Sequence, residues 1–362
     1  MGWAAQAEST LGSRTLDWTE FKRADCGAMN VLLENLLSPM VLCFVLGVAA
    51  TLLKSDLRVP QDVYSALTIY LLLAIGLKGG VALSSAPLAE LLLPMIVTLL
   101  LGLSIPLWVY ALCRRVGKLD AANSGALAAH YGSVSAVTFI AALSFVAARG
   151  LEAEGYLPTL LAVLEIPGIA LGLLLARMNS PRVAVAPGAP TDGAPAHEGV
   201  GRALSSILTG KSVYLLLGGL LVGTLMGEAQ FAKISVVFRD PFNGILCLFL
   251  LELGMIAAAR FSEVRKAGPF ILGLALLAPP IHGALGVSLG LLSNLSVGGA
   301  TVLGAMAASA SYIAAPAAVR VALPEASPSL YLTAALGLTF PFNLTLGLPI
   351  YAALAVWLKG VL

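Results

Sequence analysis

The chain has 362 residues, 59% of them hydrophobic and 11% charged, with a formal net charge of +2 and a mean hydropathy of +0.93. Soluble domains devote about a quarter of their residues to charge, so this composition excludes a soluble globular protein and defines an integral membrane protein. The small net charge gives no electrostatic case for nucleic acid, and four scattered cysteines without C-x-x-C spacing give no metal or disulfide framework.

Residues 1–30 include Glu8, Arg14, Asp17, Glu20, Lys22, Arg23 and Asp25 and lack an apolar core, so they are not a signal peptide. Met29 before "NVLLENLLSPMVL" reads as a natural start, and residues 1–28 as an extension to it. Crossing the hydrocarbon core takes about 20 apolar residues in a helix. Ten stretches are predicted to do so: 36–53, 62–83, 91–113, 121–148, 157–176, 212–229, 241–258, 268–291, 297–320 and 329–358. Between the fifth and sixth, "RMNSPRVAVAPGAPTDGAPAHEGVGR" is rich in Ala, Pro and Gly and reads as a flexible linker. The expected organisation is an N-terminal extension (1–33), a five-helix unit (34–178), a cytoplasmic linker (179–211) and a second, inverted five-helix unit (212–362). Thirteen Lys and Arg lie on the linker side of the spans and seven on the other. That bias makes the linker side cytoplasmic and puts both termini outside a cell (inner or plasma) membrane.

The fourth span, Ala121 to Ala148, has no Asp, Glu, Lys or Arg, yet its centre is Gly132, Ser133, Ser135 and Thr138. A second copy of the pattern explains this. "AIGLKGGVALSS" matches "ELGMIAAARFSE", with Gly76 over Gly254, 178 residues later. "YGSVSAVTFIAA" matches "AASASYIAAPAA", with Ser133 over Ser309 and Ser135 over Ser311, 176 residues later. Because five spans is an odd number, the second copy must be inverted. Inverted repeats with broken helices at the midplane are a transporter signature. The fourth and ninth spans are therefore predicted to be discontinuous, loosened by Gly132 and the serines in one and interrupted by Pro316 in the other. Close packing through small side chains is the competing reading of the same residues.

Two charged residues fall within spans, Lys78 in "GLKGG" and Glu165 in "VLEIPGI". Charge at that depth faces a pathway or a partner, and the two are expected to form a charge pair; snorkelling is the alternative for Lys78. Glu252 is expected nearer an interface. Asn343, in "TFPFNLTLGLP", stands at the repeat position of Pro167 and offers an oxygen to a cation or a helix-kinking hydrogen bond. His130, beside Tyr131, reads as a hydrogen-bonded structural group. No nucleophile elbow, zinc motif, Walker loop or potassium-filter sequence is present, and the chain is expected not to be an enzyme.

Five stretches, in order and spacing, resemble the sodium-dependent bicarbonate transporter (SbtA-like) permease family: "LLLAIGLKGGVAL" (71–83), "AELLLP" (89–94), "GALAAHYGSVSAVTFIAAL" (125–143), "LEIPGIAL" (164–171) and "AASASYIAAPAAVRVALPEASPSLY" (307–331). The likeness runs from about Met29 to the end. It implies an all-α polytopic fold of about ten transmembrane helices in two inverted five-helix repeats, assembled as a homotrimer in membrane lipid. It further implies that serine-rich turns of the broken fourth and ninth helices hold bicarbonate with Na+ nearby as coupling ion, without an organic cofactor. On this likeness Ser133, Val134, Ser135, Ser309, Ala310 and Ser311 fall on the substrate-binding turns and Glu165 stands at a family aspartate. With the residues read from the spans, the substrate-binding candidates also include Thr138 and Lys78, and the cation-binding candidates are Glu165, Asn343 and Gly132. A PII-like cytoplasmic regulator is an implied partner, set against a short linker. Two departures bear on sodium. "SYIAAPA" stands where the family has Ser-Asp-Ile-Ser-Gly-Pro-Pro, losing an acid at Tyr312, and Lys78 stands in the family's Gly-Leu-Thr-Gly-Gly. Transport of another small carboxylate, or a non-transporting sensor or scaffold on the same fold, are the alternatives.

The charge bias yields a test of sidedness. A single cysteine introduced at position 190 is expected to react with a membrane-impermeant thiol reagent only after intact cells are permeabilised.

Overall fold

The computed structural model describes residues 30, 33–179, 205 and 209–361. The expected extension and linker lie almost wholly outside the described residues. Every regular element described is helical, and no strand occurs among the described residues. In chain order the helices are α1 (Pro39–Leu52), α2 (Gln61–Ser85), α3 (Leu88–Arg115), α4 (Ala121–Gly132), α5 (Ala136–Ala148), α6 (Leu157–Asn179) and α7 (Lys211–Phe231). They continue as α8 (Phe242–Val264), α9 (Ala267–Leu292), α10 (Val297–Ala308), α11 (Ala314–Ala322) and α12 (Pro328–Val361). With α4 and α5 taken as one span, eight stretches are long and apolar enough to cross a membrane, and the shorter α1 and α10 are apolar as well. The protein is an all-α polytopic membrane protein.

Local chemistry sets the ends of these helices. Ser38 caps α1 by accepting from the Val41 N–H, with Pro39 in the first helical position. Asp120 accepts from the Asn123 N–H at the start of α4, and Ser296 from the Gly299 N–H at the start of α10. Gly268, at φ +81°, followed by Pro269, separates α8 from α9; only glycine takes that backbone conformation without strain.

The helices form two bundles. In the first, α1 crosses α8 and α2 crosses α7 at glycines. A Cβ on Gly47 would collide with the Leu251 carbonyl, and one on Gly254 with the Phe44 carbonyl. Gly76 and Gly80 meet Gly219 and Gly223 in the same way. Gly76 on Gly219 and Gly80 on Gly223 rise together, and so do Gly47 on Leu251 and the Thr51 hydroxyl on the Met255 carbonyl at 3.2 Å, so α2 runs parallel to α7 and α1 parallel to α8. Lipid offers no hydrophobic drive between helices, so close backbone contact through small residues supplies the packing. Gly76 and Gly254, matched in the sequence, are both such crossing points.

The second bundle holds α3–α6 and α9–α12. Gly125, Ala129 and Gly132 of α4 run along Ala176, Gly172 and Gly168 of α6, while Gly286 and Gly290 of α9 run along Gly304 and Ala300 of α10. The span formed by α4 and α5 is the most deeply enclosed.

The last helix, α12, contains two π-helical segments, Thr333–Thr339 and Asn343–Gly347. Its Pro349 has no N–H to give to the carbonyl of Thr345 (one α-turn back) or of Leu344 (one π-turn back). Both oxygens instead accept from the side-chain amide of Asn35, at 2.8 and 3.0 Å, and Asn35 is buried to 2% exposure.

One predicted feature needs correction. Pro316 does not interrupt the ninth span. The break lies at residues 309–313, and Pro316 sits in the first turn of α11, where its missing N–H would have had no intrahelical partner.

These crossings predict a sharp contrast between glycines. Gly254→Val should destabilise the folded protein by about 1–3 kcal/mol or more through overpacking, read as a lower melting temperature in detergent. Gly218→Ala, where an added Cβ meets nothing within 4 Å, should leave the melting temperature unchanged.

Candidate functional site

The two helix breaks, predicted from separate stretches of sequence, lie against each other inside the second bundle. After α4 the chain becomes extended at Ser133 (φ −105°, ψ 175°), and α5 begins on Ser135. After α10 it becomes extended at Ser309 (φ −79°, ψ 166°), and α11 follows four residues on. The Ser135 N–H donates to the Ser309 hydroxyl at 2.8 Å, and the Ser311 N–H donates to the His130 carbonyl at 2.8 Å. Each break therefore supplies a partner for the other's freed backbone.

Hydroxyl by hydroxyl, the serines divide into two kinds. Ser309 donates to the Met306 carbonyl and accepts from Ser135. Ser135 Oγ accepts from the Thr138 N–H at 3.2 Å, and Ser311 Oγ accepts from the Ala315 N–H at 3.2 Å. These three hydroxyls hold the backbone. The hydroxyls of Ser133 and Thr138 are buried and have no hydrogen-bond partner among the described residues. Val134 and Ala310 are buried between the serines of their turns, at 1% and 2% exposure.

The surroundings carry fields of both signs. The N-termini of α5 and α11 and the C-termini of α4 and α10 converge on the breaks. The former are positive dipole ends and the latter negative. Gly168 of α6 abuts the Gly132–Ser133 peptide, and Glu165, one turn earlier in α6, shares that helix face. Glu165 is 3% exposed, and no ion pair among the described residues includes it. His130 Nδ1 donates to the Ala126 carbonyl at 2.6 Å. Its Nε2 is buried with no hydrogen-bond partner among the described residues, and its ring packs on Tyr331, centroids 4.4 Å apart. Tyr312, at the position of the missing acid, has a buried hydroxyl with no hydrogen-bond partner among the described residues, and its ring packs edge to face with Phe340, centroids 5.4 Å apart.

Asn343 spans two elements. Its amide donates to the Ala308 carbonyl, the last of α10, at 2.9 Å, and its oxygen accepts from the Tyr351 hydroxyl at 2.7 Å. Both ends of this side chain hold the second break in place.

Lys78 lies apart from the serines. It lines a cleft of about 570 Å³ with Ser144, Glu154, Arg239 and Asn243, and its ammonium stands 4.2 Å from the centre of the Phe242 ring. Ser144 is nine residues along α5 from Ser135, about 13 Å at the helical rise. The expected Lys78–Glu165 pair does not form. Lys78 answers to the Phe242 ring and to the charges of Arg239 and Asp240, while Glu165 faces the breaks. Within the cleft, Glu154 Oε1 accepts from the Ser296 N–H at the start of α10 at 2.6 Å, and its Oε2 has no hydrogen-bond partner among the described residues.

Sequence reasoning missed Asn35 and the His130 carbonyl. The signal for Asn35 was available, since Pro349 leaves a carbonyl bare and an asparagine in an apolar stretch can fill it. Nothing in the sequence pointed to the His130 carbonyl, because main-chain acceptors carry no residue signature.

Ser309→Ala removes the acceptor for a buried N–H and should cost about 1–3 kcal/mol of stability. Ser133→Ala removes a hydroxyl with no partner among the described residues and should leave the stability within about 0.5 kcal/mol of the parent. Thermal denaturation of the two purified variants checks the division.

Residues 39–356 match the Na+-dependent bicarbonate transporter superfamily. No curated protein matches the chain. The match begins with α1, takes in both serine breaks and reaches the last turns of α12, so the chain belongs to the Na+-dependent bicarbonate transporter superfamily.

Proposed function

We propose that the protein is a secondary transporter that takes up bicarbonate together with sodium, binding both where the two helix breaks cross. The observation that carries this reading is the pair of buried hydroxyls without a partner among the described residues, Ser133 and Thr138, with the buried carboxyl of Glu165, which joins no ion pair among those residues. In a low-dielectric interior, polar atoms left without partners are costly, and a ligand that pairs with them repays that cost. Bicarbonate offers acceptor oxygens and one O–H donor, and a serine or threonine hydroxyl can donate or accept as needed.

Ser133 and Thr138 contact the anion, with the main chain of Val134 and Ala310 and the N-terminal dipoles of α5 and α11 as further stabilisation. Ser135, Ser309 and Ser311 shape the turns, and Asn343 positions the second one through Ala308. Sodium takes Glu165 and the main chain around Gly132, on the side where the helix C-termini point. Lys78 serves the anion earlier, in the cleft through which it approaches.

The electrical account favours coupling. An anion entering an inside-negative cell is opposed by about 2.3 kcal/mol per charge per 100 mV. One accompanying Na+ cancels that opposition, and a second makes entry favourable.

The crossings described above support an inverted repeat. Successive spans run in opposite directions, so a parallel α1–α8 and α2–α7 arrangement sets α7 against α1 and α8 against α2. That is the relation that inverted halves require, and it goes with a cytoplasmic linker and outward-facing termini.

Uptake of radiolabelled bicarbonate into proteoliposomes, with and without an inward sodium gradient, tests the function. Saturable, sodium-stimulated uptake is expected. Uptake of a different small carboxylate alone would move the substrate, and no saturable flux of any small anion would leave a sensor or scaffold. Ser133→Leu and Ser311→Leu are expected to abolish uptake in assembled protein. Glu165→Gln is expected to blunt the sodium stimulation rather than merely scale the flux.

A further inference from the structure

Opposite ends of the seam between the two bundles are built differently. At the end where α6 stops and α7 begins, one carboxylate oxygen joins α8 to α12. Glu263 Oε2 accepts from the Ser329 hydroxyl at 2.8 Å, the Thr333 hydroxyl at 3.1 Å and the Arg260 guanidinium at 3.3 Å. One turn further along α12, buried Gly337 lies against the Arg260 stem, and a Cβ there would sit 3.3 Å from Arg260 Cβ. The seam is shut at that end.

At the far end α2 meets the start of α6 through small and apolar groups, Gly79 on Pro158 and Ala82 on Gly155. The cleft lined by Lys78 opens beside them. The residue that the 178-residue offset sets against Glu263 is Ser85, whose hydroxyl turns back to the Ala82 carbonyl of its own helix at 3.1 Å. No carboxylate bridges the helices at that matched position; the polar contacts between the bundles toward this end include the Ser144 hydroxyl donating to the Asn243 oxygen at 3.3 Å and the Asn35 amide on α12.

Through α12 the clasp also connects to the site. Thr333 begins the first π-helical segment, and Asn343, ten residues on and about 15 Å away by helical rise, holds the Ala308 carbonyl beside the second break.

We propose that Glu263 is the latch of the linker-side gate. Its bonds to Ser329 and Thr333 hold that end shut while the opposite end stands open, and they must part before cargo can leave toward the linker side. The inference rests on the transport reading for its purpose but not for its measurement. The chemistry suits a latch. Hydrogen bonds to a carboxylate are strong, yet the Glu263 side chain is 29% exposed, so water can replace Ser329 and Thr333 when the helices separate. A fully dry clasp would not reopen.

The test places a reporter beneath the latch. Gly337→Cys puts a thiol in the shut seam, and its reaction rate with a membrane-impermeant maleimide, in proteoliposomes without substrate, reports opening relative to the chain without that cysteine. Slow labelling is expected with Glu263 present. Glu263→Ala should raise the rate about tenfold, the population shift that about 1.4 kcal/mol produces, and Glu263→Gln should fall between. Ser85→Ala, at the matched position of the other end, should not change it. Ser329→Ala with Thr333→Val leaves the Arg260–Glu263 pair intact and should act in the same direction as Glu263→Ala, so a variant that fails to fold does not end the test. Equal slow rates in monodisperse variants with and without the latch, or fast labelling with the latch intact, would overturn the proposal. No flux is measured, so a failure of bicarbonate uptake leaves this outcome separate.

Discussion

A helix that breaks inside a membrane exposes N–H and C=O groups where no water can take them, and each one left bare costs several kcal/mol. Everything else in this protein depends on how two breaks meet that constraint at once. The Ser135 and Ser311 N–H groups cannot be served by their own helices, so each is served by the opposite break, one through the Ser309 hydroxyl and the other through the His130 carbonyl. Neither break is tolerable alone. Together they form a crossing in which those two N–H groups are paired and the hydroxyls of Ser133, Thr138 and Tyr312 have no partner among the described residues. Holding the crossing in place requires the glycine and alanine seams of α4 on α6 and of α10 on α9, and the Asn343 bond to the end of α10.

The other bundle follows a different rule. Its two glycine crossings bring whole backbones into contact, leaving no room for a side chain to change rotamer at the contact points. Such packing is stiff and suits a frame. The contacts of the bundle of breaks with this frame include α8 on α12, carried by the Glu263 carboxylate, α2 on α6, carried by apolar surface, and the hydrogen bonds of Asn35 to α12 and of Ser144 to Asn243. A stiff frame beside the crossing divides labour by helix, with α12 the element that touches both the seam and the site.

Much of this was legible in the sequence, and the reasons for success and failure are physical. Span positions could be read because lipid demands long apolar runs, and the break in the fourth span because Gly132, Ser133 and Ser135 are poor residues for a membrane helix unless something requires them. The pairing of the two serine turns followed from their matched order. Which serine does what was not legible, since Ser133 and Ser135 are the same residue type two positions apart and differ only in what their extended backbones aim at. Pro316 misled because a proline marks a helix boundary without saying on which side of it the break falls. Lys78 and Glu165 were paired on the reasoning that buried charges seek each other. The Phe242 ring offered a cation–π partner that sequence spacing does not reveal, and Glu165 was left facing the crossing.

The Asn35 contact has a consequence for biogenesis. Asn35 precedes the first helix and completes the last one, and the two carbonyls it serves lie 309 and 310 residues downstream. During synthesis α1 enters the bilayer long before α12 exists, so the Asn35 amide must wait at the membrane surface, hydrated, until the final span has been inserted. Sealing of the fold is thus deferred to the last helix to arrive, and a nascent chain stalled before Pro349 retains an unsheltered polar group at its beginning. Such a group is a ready mark of incompleteness for the cell's quality-control machinery, carried at the opposite end of the polypeptide from the missing piece.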